Sequence, residues 1–167
     1  MALLRVDAGS TEEARDLLRR TCGSTRWVDR MLARRPFETI EALLGAARAE
    51  WFALTPADWL QAFADHPRIG DREPLARKFP ETHHLASREQ VEVADAGEDV
   101  LTALAGGNTA YEDKFGFIFI VCATGLDAET MLARLRERLD NDPSTELRIA
   151  AEEQAKITAL RLAAACQ

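Results

Sequence analysis

Phe117-Ile118-Phe119-Ile120-Val121 is the one β-prone run in the 167-residue sequence, and its reading decides the fold. A lone strand has no partner to pair with, and even an isolated two-stranded hairpin is marginal in water. The run is therefore read as a buried helical or extended core segment inside an all-α protein. Helix punctuation surrounds it. Toward the C-terminus, Gly125-Leu126-Asp127-Ala128-Glu129 stops one helix and starts the next, which reaches about Leu139. Asn141-Asp142-Pro143 supplies a cap and a proline before a final helix from about Ser144 to Ala164. Toward the N-terminus, Asp99 to Tyr111 has helical character, and Ser87 caps a shorter helix before it. Residues from His66 to Ala86 include Pro67, Gly70, Pro74 and Pro80, which forbid one continuous helix.

Further toward the start, Thr55-Pro56-Ala57-Asp58 places a cap, a proline at the first helical position and an acid in the first turn. The short helix that follows carries Trp59, Leu60 and Phe63. Pro36 precedes a segment to Leu54 in which Ile40, Leu43, Leu44, Ala47 and Trp51 recur at helical spacing. Ser10-Thr11-Glu12-Glu13 is a capping box that opens a helix through about Thr21. The expectation is a single domain over residues 1–167, a helical bundle of roughly eight helices.

Bulk properties narrow the function. A chain this long buries about 70% of its extended surface on folding, so neither a metal nor a disulfide is needed for stability. Apolar residues make up 47% and charged residues 29%, ordinary values for a globular protein. A net charge of -7 argues against a nucleic-acid partner, because binding phosphates requires cationic side chains that release counterions. Three cysteines, Cys22, Cys122 and Cys166, fit reduced thiols better than a disulfide framework. No Cys-x-x-Cys pair is present, so no metal site is expected. Met1-Ala2-Leu3-Leu4 runs straight into Arg5 and Asp7 without a secretory apolar stretch, and no run is long enough to cross a membrane. Ala165-Cys166-Gln167 is not a peroxisomal address. The expected location is the cytoplasm.

Several polar groups stand out by context. His66 lies at a helix end immediately before Pro67, which forces extended backbone on it and fixes its direction. Imidazole exchanges a proton near neutral pH, and the same position also suits a histidine bonding a free helix carbonyl. Ala86-Ser87-Arg88-Glu89-Gln90 begins a helix, so Ser87 with Gln90 satisfies the capping-box rule. The same helix N-terminus would offer N–H groups to an anion, with Glu89 and Gln90 supplying a carboxylate and an amide for the N–H and C=O groups of a ureide. On the last helix Leu147, Ala150, Gln154, Ile157 and Arg161 share a face. There Arg161 either reaches the rim or holds a carboxylate in a bidentate fork. Gly116 lets backbone approach closely. His83-His84 lack a carboxylate or thiolate at ligand spacing. Cys122 shows no neighbour that would stabilise a thiolate.

Four of these stretches occur in an order that resembles the 2-oxo-4-hydroxy-4-carboxy-5-ureidoimidazoline (OHCU) decarboxylases. They are Phe63 to Asp71, Ser87-Arg88-Glu89-Gln90, Asn108 to Tyr111 with Lys114-Phe115-Gly116-Phe117, and Arg161-Leu162. The resemblance implies an all-α, usually dimeric protein that acts without metal or organic cofactor on a small ureide, completing the path from urate to (S)-allantoin. It assigns the proton donor to His66 and a catalytic carboxylate to Glu89. Substrate contacts fall on Pro67, Ala86, Ser87, Arg88, Gln90 and Arg161, and on the backbone of Phe119, Ile120, Val121, Cys122 and Ala123. The sequence departs from the family pattern at Ala86, where a serine is usual, at Val91-Glu92, and at Ile118, where many members have proline. Three other readings remain open at this point. They are a decarboxylase of a related ureide, a helical binding module that has lost the chemistry, and a hydrolase using Cys122 with His66.

Overall fold

The structure, a computed structural model, describes residues 3–68 and 97–166. Among them stand eight helices and no strand, in agreement with the all-α reading. They are α1 (Arg5–Ala8), α2 (Thr11–Thr21), α3 (Thr25–Ala33), α4 (Ile40–Phe52), α5 (Pro56–Ala64), α6 (Glu98–Phe115), α7 (Ala128–Leu139) and α8 (Pro143–Cys166). The chain forms two compact units, Met1–Asp65 with Gln154–Gln167, and His66–Glu153. No helix among the described residues is long and apolar enough to cross a membrane.

In the first unit the caps form where the sequence places them. Ser10 Oγ accepts from the Glu13 N–H at 3.2 Å, and Glu13 Oε2 accepts from the Ser10 N–H at 2.8 Å. At α5 the Asp58 carboxylate accepts from both the Thr55 N–H at 3.1 Å and the Thr55 hydroxyl at 2.8 Å. α3 occupies a stretch to which the sequence reading assigns no element. It starts from Ser24, whose Oγ accepts from the Trp27 N–H, and it buries Trp27, Val28 and Met31. Those three residues are the buried ones of a nine-residue helix, while Asp29 and Arg30 interrupt the apolar run between them and Arg26 precedes it. α3 is then tied to α4 by the Trp27 indole, which donates to the Ala47 carbonyl at 3.0 Å. α5 is tied to α4 by the Trp59 indole, which donates to the Trp51 carbonyl at 2.9 Å. These two bonds satisfy the indole N–H groups of large side chains that the core otherwise takes up as apolar area.

The second unit is organised around the C-terminal end of α6. That helix runs four residues past the expected Tyr111, to Phe115, and ends at Gly116 with φ +79°. Only glycine adopts this left-handed turn at no steric cost. Nothing lies within 4 Å of where a Gly116 Cβ would sit, so the turn, and not a close approach, is what requires glycine there. The turn feeds residues 117–123, which are neither helix nor strand and bury Phe119, Ile120, Val121 and Ala123. Of the two readings left open for the β-prone run, the non-helical one is the one observed. Gly125 ends this segment, and not a helix as expected, in a turn where the Leu126 N–H donates to the Ala123 carbonyl at 3.0 Å. Asp127 Oδ1 then caps α7 by accepting from the Thr130 N–H at 2.7 Å. Leu104 and Tyr111 of α6, Phe119 and Val121, and Met131, Leu132 and Leu135 of α7 share one core. Before α8, Asp142 accepts from the hydroxyls and N–H groups of Ser144 and Thr145. These bonds hold its carboxyl well below the usual carboxylate range.

Candidate active site

His66 follows α5 and is half-buried, as is Pro67. Proline disfavours helical backbone in the residue before it, so the chain leaves the helix here. Arg68, the next residue, grips Glu112 of α6 with both arms. Its Nε donates to Oε1 at 2.9 Å, and its Nη2 pairs with Oε2. The bidentate fork fixes orientation as well as distance. The His66-Pro67-Arg68 stretch is thereby pinned to α6 at the residue after Tyr111.

Tyr111 begins a second set of contacts, which reaches residues 119–123. Its ring packs on Phe115, Phe117 and Phe119, with centroids 4.6, 5.7 and 5.4 Å away. Its hydroxyl donates to Glu146 Oε1. Burial, and then this bond to Glu146, push the phenol well above its ordinary range, so the hydroxyl keeps its proton. Arg138 donates from Nε to the same Glu146 oxygen at 2.6 Å and from Nη1 to the Ile120 carbonyl at 2.6 Å. Its guanidinium lies 4.6 Å over the Phe119 ring. The Asn141 side chain donates to Glu146 Oε2 at 3.0 Å. Two residues beyond Ile120, the Cys122 N–H donates to Glu153 Oε2 at 2.7 Å. Glu146 is fully buried, and Glu153 and Arg138 are nearly so. Phe119, Ile120 and Val121 are buried while Cys122 is half-buried, so solvent reaches the segment at Cys122.

In the first unit, Arg161 is half-buried on α8 between the buried Ile157 and Leu162. Its guanidinium and the Asp65 carboxylate both act on the buried thiol of Cys22. Burial pushes that thiol up to about 11, against smaller opposing contributions from Ser24, Thr158 and Arg161. Cys22 is therefore a neutral, poorly nucleophilic core residue at physiological pH. Asp65 reaches this place because residue 23 is glycine. A Cβ on Gly23 would lie 1.9 Å from Asp65 Oδ2 and 2.6 Å from its Cγ. Gly23→Ala must therefore displace Asp65, the residue bonded to His66. The expected result is a destabilisation of about 1–3 kcal/mol in urea unfolding. A Gly23→Ala protein with the wild-type urea midpoint would show that Asp65 gives way without cost.

Of the residues singled out in the sequence, His66, Pro67, residues 119–123 and Arg161 lie within the described parts of the chain. Ala86, Ser87, Arg88, Glu89 and Gln90 lie outside them, as do His83 and His84. None of the three cysteines is in a disulfide, and among the described residues no group of His, Cys, Asp or Glu is arranged to hold a metal ion. Sequence reasoning missed Arg138, Glu146 and Glu153. A signal was present for two of them. Glu146, Ala150, Glu153 and Ile157 follow the same three- and four-residue spacing as the buried face of α8. Two acids on an apolar face call for partners.

The sequence model of the family described as OHCU decarboxylase matches residues 7–163. The chain belongs to that family. It is 40% identical over 143 residues to the uric acid degradation bifunctional protein TTL of Arabidopsis thaliana, covering 85% of this chain and 44% of that one. It is 35% identical over 115 residues to the OHCU decarboxylase of Amia calva, covering 60% of this chain and 64% of that one. The chain thus spans less than two thirds of either relative. A crystal structure of an OHCU decarboxylase in the presence of (S)-allantoin superposes with a TM-score of 0.76 at 37% identity, covering 93% of this chain and 97% of that one.

Proposed function

We propose that this protein decarboxylates OHCU to (S)-allantoin in urate catabolism, as a carboxy-lyase that uses no metal or organic cofactor. The observation that carries the reading is the family membership across residues 7–163. The likeness to a solved decarboxylase along nearly the whole of both chains supports it. Residues 1–167 are read as one functional domain.

The substrate itself explains why a bare protein suffices. The carbon that loses CO₂ bears a hydroxyl and sits beside the ureido-bearing carbon, which is joined to a ring nitrogen by an imine-like double bond. When the bond to the carboxylate breaks, its electron pair passes into the ring, and no external electron sink is needed. The protein then has three tasks. It must hold the carboxylate so that the breaking bond lies across the ring π-system. It must stabilise the developing negative charge with groups already in place. It must deliver a proton to one face of the neighbouring ureido-bearing carbon, while the hydroxyl on the carbon that lost CO₂ gives up its proton and becomes a ring carbonyl.

In this reading Arg161 and Gln90, with the backbone of residues 119–123, bind the substrate and stabilise charge. Pro67, Ala86, Ser87 and Arg88 complete the contacts. Glu89 orients the ureide and His66, and His66 gives the proton. The resemblance also carries a homodimer, which sedimentation at micromolar concentration tests directly. Cysteines outside disulfides accord with a cytoplasmic setting. The function itself is tested by generating OHCU from urate with the two preceding activities, adding this protein and measuring CO₂ release. Release well above the spontaneous rate is the expected result. Release at the spontaneous rate rejects the proposal.

A further inference from the structure

We infer that Arg138 and Glu153 are positioning residues that set the backbone of segment 119–123 for ligand binding, with Glu146 and Tyr111 holding Arg138 in place. The inference rests on the proposed function only in taking that segment as a substrate contact. Two buried side chains from different helices reach two backbone groups of the segment. Arg138 of α7 donates to the Ile120 carbonyl, and Glu153 of α8 accepts from the Cys122 N–H. The segment has no helix or sheet ladder of its own to fix its path. A backbone that must present groups to a ligand needs its direction set from outside, and side chains locked by packing and hydrogen bonds can do that.

The geometry gives each residue a separate share. Arg138 is over-determined. Nε and Nη1 are committed to Glu146 and Ile120, and its guanidinium plane lies over Phe119. Glu146 is held in turn by Tyr111 and Asn141. Rotation of Arg138 would break its bond to Glu146 as well as its bond to Ile120. Glu153 fixes the segment two residues further on, next to the place where solvent reaches Cys122. Its bond from the Cys122 N–H is an acceptor function that a glutamine oxygen reproduces and an apolar side chain does not.

The experiment compares Glu153→Leu with Glu153→Gln in the full chain, reading kcat and KM on OHCU, the affinity for (S)-allantoin, and the thermal midpoint. A displacement of about 1 Å in a binding element costs up to about 10²-fold. The expected result is a rise of roughly tenfold or more in KM and in the allantoin dissociation constant for Glu153→Leu, with kcat changed less. Glu153→Gln restores most of that loss. If Glu153→Leu does not fold, Arg138→Lys takes its place, because lysine keeps the charge but cannot serve Glu146 and Ile120 together. That variant must show the same weakening. A folded Glu153→Leu or Arg138→Lys protein with wild-type KM and allantoin affinity overturns the inference, as does equal impairment of the leucine and glutamine variants. Wild-type protein that binds (S)-allantoin but releases no CO₂ would instead remove the proposed function. The binding comparison would still decide the positioning role.

Discussion

Replacing His66 with asparagine lowers kcat on OHCU by roughly 10²-fold or more, with a much smaller change in KM. Asparagine keeps a polar group of similar reach but cannot carry a proton near neutral pH. The substitution thus removes the proposed chemical function and leaves the surroundings in place. Those surroundings are well fixed. Pro67 restricts the backbone before it, and Arg68 is clamped to Glu112 one residue further on. A His66→Asn protein should therefore retain its thermal midpoint. Its residual turnover should give allantoin of lower optical purity, because water protonates the carbanion from either face. Purified His66→Asn protein with wild-type kcat would show that another group supplies the proton.

The largest loss of stability is expected at Arg138. Arg138→Met leaves Glu146 fully buried opposite an apolar side chain, with only Tyr111 and Asn141 to satisfy it. Breaking a buried ion pair from one side costs about 3–5 kcal/mol, because the remaining charge is uncompensated. Removing both charges together is far cheaper. The double variant Arg138→Met with Glu146→Leu should recover most of the loss in urea unfolding, although it does not restore the bond to the Ile120 carbonyl. A single variant within about 1 kcal/mol of wild type would mean that the cluster behaves like an exposed pair and that the segment depends on it little.

These two sites differ in how plainly the sequence announces them. The caps at Ser10 and Thr55 and the Asp142-Pro143 start of α8 are local events, written within four residues, and each forms as read. His66 is legible for the same reason, since the proline beside it dictates its backbone. α1, with four residues, has too short a period to read, and α3 hides its apolar face behind Arg26, Asp29 and Arg30. The non-helical path of residues 117–123 starts at Gly116, whose φ of +79° closes α6 and redirects the chain. The sequence marks a break there, but its direction depends on what receives the segment. The Arg138–Glu146–Tyr111 cluster joins residues 8 to 35 positions apart. No periodicity encodes such a match. It becomes visible only when α6, α7 and the start of α8 bring three polar groups into one apolar interior.

Optical activity is the most direct measure of the central claim, because spontaneous decay of OHCU gives racemic allantoin. With OHCU formed in place from urate, circular dichroism of the product should develop toward (S)-allantoin as this protein is added, at a rate proportional to its concentration. Substituting the His66→Asn protein should slow that signal by more than the fall in kcat, because its residual product is of lower optical purity. Allantoin that stays racemic at every protein concentration would contradict the account.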